Sequence, residues 1–129
     1  MMILKSLRLG TNDLEKAREF YDATFAALGV GPCQSTPEWP IVLWDVEGFK
    51  FMLGPARDGN PAPHANGGTV LFEAPDEATV RAWHAAGLAH GGTCEGAPEA
   101  KPQARGAFGA YMRDPDGNKL GIYCGLKVG

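Results

Sequence analysis

The chain of 129 residues contains, in its second half, the stretch Arg113-Asp114-Pro115-Asp116-Gly117-Asn118-Lys119-Leu120. Sixty-nine residues earlier it contains a stretch of similar pattern, Trp44-Asp45-Val46-Glu47-Gly48-Phe49-Lys50-Phe51. Within 114–117, proline presets φ at the second turn position and glycine supplies positive φ at the fourth, which predicts a type I turn with a glycine bulge. Each stretch therefore predicts a strand, a tight turn and a second strand.

A helical pattern lies upstream of the first hairpin. Its stripe at helical spacing consists of Leu14, Ala17, Phe20 or Tyr21, Thr24 and Leu28. Asn12 is expected to cap this helix, with Glu15 reaching back to the cap as in a capping box. Gly29 stands where a left-handed residue ends a helix. Before the helix, 4–10 predicts a strand with Leu7 and Leu9 on one face.

The second half of the chain repeats this order. The apolar run 70–74 predicts a strand, Pro75-Asp76 begins a helix, and Gly91-Gly92 ends it. A shift of 63 residues places Asp13 on Asp76 and Gly29 on Gly92. An internal repeat of this kind indicates two copies of one structural unit.

Each half therefore predicts a βαβββ module, and the fold class is α+β with two modules paired to form a cleft. We expect one domain over 1–129, with modules at about 1–54 and 67–125 and a Gly/Pro-rich linker at about 55–66. The predicted elements are 3–10, 13–28, 30–35, 39–46 and 49–54, followed by 67–74, 76–90, 92–97, 106–113 and 118–124.

Composition narrows the range of partners. The net charge is −3 and no run of Lys or Arg occurs, so neither a nucleic acid nor a membrane partner is expected. The apolar runs are too short to span a bilayer, and the first six residues do not resemble a secretory signal. Three widely spaced cysteines, Cys33, Cys94 and Cys124, favour free buried thiols in a reducing cytoplasm.

Four stretches resemble the glyoxalase, bleomycin-resistance and extradiol-dioxygenase group, the vicinal-oxygen-chelate superfamily. They are residues 9–22, 72–76, 91–98 and 113–120. The resemblance covers nearly the whole chain, and it implies that each module curls its sheet into a half-barrel. Members of the group that are enzymes hold a divalent metal between the half-barrels, where it acts as a Lewis acid.

The resemblance also identifies the positions at which relatives carry metal ligands. In this chain those positions are Ser6, Met52, Thr69 and Gly121. A neutral hydroxyl is a poor ligand for divalent ions, and glycine has no side chain. We therefore expect no metal and no other cofactor. The three histidines do not replace the lost ligands, because none is predicted on a strand facing the cleft.

Strand alternation predicts which residues face the cleft. The predicted ligand-binding residues are Ser6, Arg8, Trp44, Met52, Thr69, Glu73, Tyr111, Gly121 and Tyr123. This set gives aromatic walls with a few polar groups, which suits a planar or hydrophobic organic ligand. Two interpretations of the aromatic residues stay open: they line a ligand pocket, or they fill a closed barrel or a dimer contact.

Two main functions remain, beside a third option in which the domain serves only for protein association. The first is a metal-free protein that binds a small organic molecule, in the manner implied by the resemblance to bleomycin-resistance proteins. The alternative is a lyase, isomerase or dioxygenase of the same superfamily. It would work either with a displaced metal site that uses Glu73 or a histidine, or without metal, with Glu73 or Tyr111 moving a proton. No catalytic residue follows from the sequence alone. Relatives often pair half-barrels across subunits, so a homodimer is expected.

Overall fold

The computed structural model describes residues 3–35, 38 and 40–127. The first module contains β1 (Ser6–Gly10), α1 (Leu14–Ala27), β2 (Gln34–Ser35), β3 (Val42–Val46) and β4 (Phe49–Gly54). The second contains β5 (Thr69–Glu73), α2 (Glu77–Ala89), β6 (Thr93–Ala100), β7 (Phe108–Arg113) and β8 (Lys119–Cys124), with a short 3-10 turn at Pro102–Ala104. Among all the residues that the structure describes, no helix is long and apolar enough to cross a membrane.

The strands form two four-stranded mixed sheets of the same topology. The first sheet has the order β1-β4-β3-β2 and the second has the order β5-β8-β7-β6. In each sheet the first and last strands of the module run parallel to each other, and the hairpin strands run antiparallel. The predicted α+β class with two βαβββ modules is therefore confirmed.

Several predicted strands were too long. The first strand begins at Ser6, and Ile3 and Leu4 before it are exposed. The second has only two residues, and the third begins at Val42; the predicted start of that strand, Trp39, is outside the described residues. In contrast, β6 continues to Ala100 because two irregularities in its pairing with β7 accommodate extra residues.

The helix cap predicted at Asn12 was wrong by one residue. Asp13 is the cap of α1, and its side chain accepts a hydrogen bond from the Lys16 amide. Asp76 caps α2 in the same way, as the repeat implies. Asn12 instead exchanges two hydrogen bonds with the backbone of Ala62, at 2.7 and 2.8 Å. Gly29 has a φ of 80°, as expected for a helix end.

The segment expected to be a linker makes specific contacts with both modules. Ala62 is held by Asn12 of the first module, and the Ala65 amide donates to the side chain of Asn118 in the second. This segment is therefore held to both modules near its end, at Ala62 and Ala65.

One apolar core extends through both modules. Phe25 packs edge-on against Phe72 at a centroid distance of 5.6 Å, and Phe72 also packs against Trp83. Phe51 lies 6.3 Å from Phe72. Aromatic side chains of the first module thus bury the core face of β5, and the two sheets share a single interior.

A buried hydrogen bond also joins the modules. The Tyr21 hydroxyl donates to Asp114 Oδ2 at 2.6 Å. The other carboxylate oxygen accepts from the Asp116 and Asn118 amides, and Oδ2 accepts in addition from the Asn118 side chain. Asp114 therefore orders the β7–β8 turn and holds α1 against it. Burial, and then the charge of Asp114, raises the pKa of Tyr21 well above its ordinary value, so the hydroxyl stays protonated and donates.

We expect Tyr21→Phe to lower the free energy of unfolding by about 1–3 kcal/mol, because a buried carboxylate oxygen loses a charge-assisted donor. Urea unfolding measures this loss. Tyr123→Phe is the matched control, since it removes the same atom from a bond between two neutral phenols. Equal losses of unfolding free energy in the two variants would show that the charge of Asp114 does not strengthen its hydrogen bond with Tyr21.

Candidate functional site

The face of the first sheet that points away from α1 carries Arg8 and Met52. Leu9, on the opposite face of β1, is buried in the core as predicted. Arg8 and Met52 are neighbours in register on the parallel strands β1 and β4. Their side chains therefore lie side by side on the outer face of the sheet.

These two side chains line a pocket of about 500 Å³. The rest of its lining comes from the segment before β3 and from the segment after β4: Pro40, Ile41, Pro55, Ala56 and Arg57. Its walls are thus mainly aliphatic, and its charged groups are two guanidiniums. We call this cavity the Arg8 pocket.

The position of Arg8 is fixed by the backbone around it. Its Nη2 donates to the Pro55 carbonyl at 2.7 Å. A Cβ at Gly54 would lie 2.6 Å from the same nitrogen, so the guanidinium occupies space that only glycine leaves free. The Nε atom of Arg8 is buried and makes no hydrogen bond within the described residues.

Arg8 differs from Lys50, the other cation on this face. Lys50 makes an ion pair with Asp45, its neighbour across the β3–β4 hairpin. In contrast, neither Arg8 nor Arg57 makes an ion pair with any residue that the structure describes. The positive charge of the Arg8 pocket is therefore not balanced by a protein carboxylate there.

On the corresponding face of the second sheet, side chains cover Gly121, beside a cavity of about 180 Å³ that Leu71, Glu73 and Tyr123 help to line. Tyr111 and Tyr123 share a hydrogen bond of 2.8 Å between their hydroxyls, and their rings are 5.7 Å apart. A Cβ at Gly121 would lie 2.6 Å from Tyr111 and 2.8 Å from Leu71, so these side chains cover the glycine. Lys119 lies over the Tyr111 ring at 5.1 Å. This face matches the second interpretation of the aromatic residues, in which they fill space.

The ionisation of Tyr123 limits its chemistry. Burial, and then the hydrogen bond with Tyr111, raises the pKa of the Tyr123 hydroxyl above its ordinary value. At neutral pH the hydroxyl is therefore protonated, and Tyr123 is not poised to act as a base.

The prediction that Trp44 faces the cleft was wrong. Trp44 is 0% exposed, packs on Phe25, and donates its ring N–H to Asp22 at 2.9 Å. The cause is the turn before β4. Glu47 and Gly48 both have positive φ, so the first hairpin closes with a two-residue turn and pairs Trp44 with Phe51. The second hairpin contains an extra residue, and a shift of one residue reverses the face of a strand.

Three further predicted residues do not line the Arg8 pocket. Ser6 is exposed at the start of β1 and is paired in register with Lys50. Thr69 lies beside a separate cavity of about 150 Å³ between β1 and β5. Glu73 is exposed at the end of β5, in register with Tyr123. The predicted set is therefore split between two modules, and only Arg8 and Met52 share the Arg8 pocket.

The positions at which relatives carry metal ligands do not fit a metal. Ser6, Met52 and Thr69 offer no imidazole, carboxylate or thiolate. At Gly121 the space that a carboxylate would need is occupied by Tyr111 and Leu71. Within the described part of the chain, no three His, Cys, Asp or Glu side chains come close enough to hold a metal ion. The donor chemistry disagrees with the site that the resemblance implies.

Other reactive side chains lie outside both outer sheet faces. His84 Nε2 is 3.2 Å from Cys94 Sγ, and burial, and then the charge of Lys101, lowers the pKa of His84. Cys94 is exposed, so the expectation of buried thiols was wrong for this residue. Burial, and then Asp22, raises the pKa of Cys33, which favours its neutral, unreactive form.

A depression of about 580 Å³ runs along the exposed side of α1, but its charges are largely satisfied by one another. Arg18 there pairs with both Glu15 and Asp22. We therefore interpret this depression as a solvated helix surface rather than a ligand site.

Sequence analysis missed five of the seven residues that line the Arg8 pocket. Three of them, at 55–57, belong to the segment interpreted as a linker, and Pro40 and Ile41 belong to the expected third strand. The available signal was the pair of prolines, Pro40 and Pro55, which end or border the strands next to Arg8. Proline at these positions diverts the chain from the sheet and leaves it free to form a wall.

We expect Gly121→Ala to destabilise the protein by about 1–3 kcal/mol, because the added methyl group must displace Tyr111 and Leu71. Thermal and urea unfolding measure the effect. Gly31→Ala is the control, since a Cβ there meets nothing within 4 Å. Unchanged stability in Gly121→Ala would mean that Tyr111 and Leu71 do not pack over this glycine as described.

Solved structures resemble this chain over nearly its whole length. A glyoxalase/bleomycin resistance protein from Albidiferax ferrireducens T118 is 37% identical, with a TM-score of 0.86 and coverage of 95% of this chain and 99% of that one. A glyoxalase-related enzyme from Fulvimarina pelagi is 23% identical, with a TM-score of 0.77 and coverage of 96% and 88%. A lactoylglutathione lyase from Agrobacterium tumefaciens is 23% identical, with a TM-score of 0.67 and coverage of 96% and 93%. At 23% identity the last two show the fold alone.

No curated protein matches the chain in sequence. The family model described as Glyoxalase/Bleomycin resistance protein/Dioxygenase superfamily matches residues 3–122, which include every strand and both α-helices except for the end of β8. The match agrees with the two βαβββ modules and with the solved structures. The chain therefore belongs to the Glyoxalase/Bleomycin resistance protein/Dioxygenase superfamily.

Proposed function

We propose that this protein binds a small organic molecule in the Arg8 pocket and does so without a metal at the positions that relatives use. The observation that carries the proposal is the pocket itself, with about 500 Å³ of space, aliphatic walls and two arginines. Ligand sites of proteins typically have 300–1,000 Å³ and mainly apolar walls with a few polar groups.

The internal repeat supports this choice of site. The residue that matches Arg8 in the second module is Leu71, and the residue that matches Met52 is Gly121. In the second module Tyr111 and Leu71 cover this glycine, while in the first module the equivalent position borders the Arg8 pocket. Two copies of one fold thus differ at the place where a ligand would bind, and the difference favours the first copy.

The enzymatic alternative has weaker support among the described residues. Tyr111, one of the two groups expected to move a proton, has its hydroxyl bonded to that of Tyr123. Glu73, the other, is exposed and does not line the Arg8 pocket. The homodimer and the cytoplasmic location remain predictions.

We expect small organic ligands to shift the amide NMR signals of Ile41, Met52 and Ala56, and we expect Ala56→Phe to abolish this binding. Ala56 lines the pocket and is half-buried, so a phenyl ring there occupies the space of the ligand. A fragment library of planar and aliphatic compounds, followed by ¹H–¹⁵N correlation spectra, makes the measurement.

The matched control for this experiment is Ala104→Phe, because Ala104 is also half-buried but lies in the second module. The control should bind as the parent protein does. Ligands that shift signals elsewhere, or that bind Ala56→Phe unchanged, would show that the Arg8 pocket is not the binding site.

We also expect the protein, purified without a histidine tag, to contain far less than one equivalent of zinc, nickel, manganese or iron, because Ser6, Met52, Thr69 and Gly121 give such ions no strong ligand. Elemental analysis by mass spectrometry measures this directly. A full equivalent of metal that remains after dialysis, and is lost in a variant of a strand residue, would refute the metal-free proposal.

A further inference from the structure

We propose that the ligand of the Arg8 pocket is an organic anion, with a carboxylate or similar group bound to Arg8 and an apolar body packed against Met52 and Ile41. This inference rests on the proposed function, because it names the ligand class of the same pocket. It goes beyond that function because a neutral molecule would also satisfy a merely apolar cavity.

The charge of the pocket points to an anion. Both charged residues of its lining, Arg8 and Arg57, are cations, and none of the described residues that line it is acidic. The acidic residue next in sequence, Asp58, uses its carboxylate to accept from the Asn60 amide. On the same sheet face Lys50 is already paired with Asp45. In a chain of net charge −3, this leaves a local positive site without a protein counter-ion.

The hydrogen bonds of Arg8 lead to the same conclusion. A guanidinium has five N–H donors, and among the described residues only the Pro55 carbonyl accepts from it. Nε is buried without an acceptor there. A buried charged donor without a partner is costly, so an acceptor supplied from the pocket would stabilise this arrangement. A carboxylate or phosphate supplies two oxygens in a plane that matches the guanidinium fork.

Arg8 is also held in place before any ligand arrives. The Pro55 carbonyl bonds to one end of the guanidinium, and the bare backbone of Gly54 lies directly beneath it. Little side-chain entropy is therefore lost when an anion binds. A flexible surface arginine would not have this advantage.

The apolar lining sets the second requirement on the ligand. Pro40, Ile41, Met52 and Pro55 contribute hydrocarbon to the walls. A bare inorganic anion would leave these walls in contact with water, whereas a ring or short chain attached to the anion would bury them. The predicted class is therefore an acid with an apolar body rather than phosphate or sulfate alone.

An isosteric pair of probes tests the inference: naphthalene-2-carboxylate and naphthalene-2-carboxamide, titrated into the ¹⁵N-labelled protein. We expect the carboxylate to bind at least about tenfold more tightly than the amide, with shifts at Met52, Ile41 and Ala56. Arg8→Met should remove this preference, and Arg57→Gln should reduce it. Arg105→Gln should leave it unchanged, because Arg105 is exposed in the second module.

The outcomes separate this inference from the proposed function. If the amide binds in the pocket as tightly as the carboxylate, the anion inference is wrong while the proposed function stands. If neither probe nor any other fragment shifts the pocket signals, the proposed function itself fails. If inorganic phosphate competes as strongly as the naphthoate, the apolar requirement is wrong. Should Arg8→Met prove unfolded by thermal denaturation, Arg57→Gln decides the question, since Arg57 is exposed and contributes no core contact.

Discussion

The arrangement of the two modules depends on the buried carboxylate of Asp114. Its oxygens satisfy the amides of its own turn and accept the hydroxyl of Tyr21 from the other module. The aromatic contacts around Tyr21 and Phe72 then bury the space between the sheets. Because one carboxylate accepts from both the turn amides and Tyr21, the local turn chemistry and the contact between modules stabilise each other. The outer faces of both sheets lie on the opposite side from this shared core.

The side chains on the two outer faces differ although both sheets have the same topology. One copy covers Gly121 with Tyr111 and Leu71, and the other keeps an arginine beside an open cavity. The core residues that hold the sheets together point the other way and are not affected by this difference. A repeated fold can therefore keep its core in both copies while only one copy keeps an arginine-lined cavity on its outer face.

Sequence patterns predicted the features that local chemistry determines. The turn residues 114–117 predicted the hairpin that β7 and β8 form, and alternation placed Leu9 on the face of β1 opposite Arg8, where it is buried. The error at Trp44 arose because the positive φ of Glu47, a non-glycine residue, is not signalled by its type. The pocket walls at 40–41 and 55–57 come from irregular segments whose paths depend on tertiary contacts. No periodic pattern describes such segments, and the site was therefore only partly predictable.

The two hydrogen bonds between the Asn12 side chain and the Ala62 backbone constrain the segment that borders the Arg8 pocket. The chain leaves the first sheet at Gly54 and is held again by hydrogen bonds at Ala62. Residues 55–61 therefore form a short loop with both ends fixed. The middle of this loop is largely exposed and contributes little to the core. Changes in its length or side chains can reshape the cavity at small thermodynamic cost. The shape of this cavity can therefore change between related chains while the two sheets beneath it stay the same.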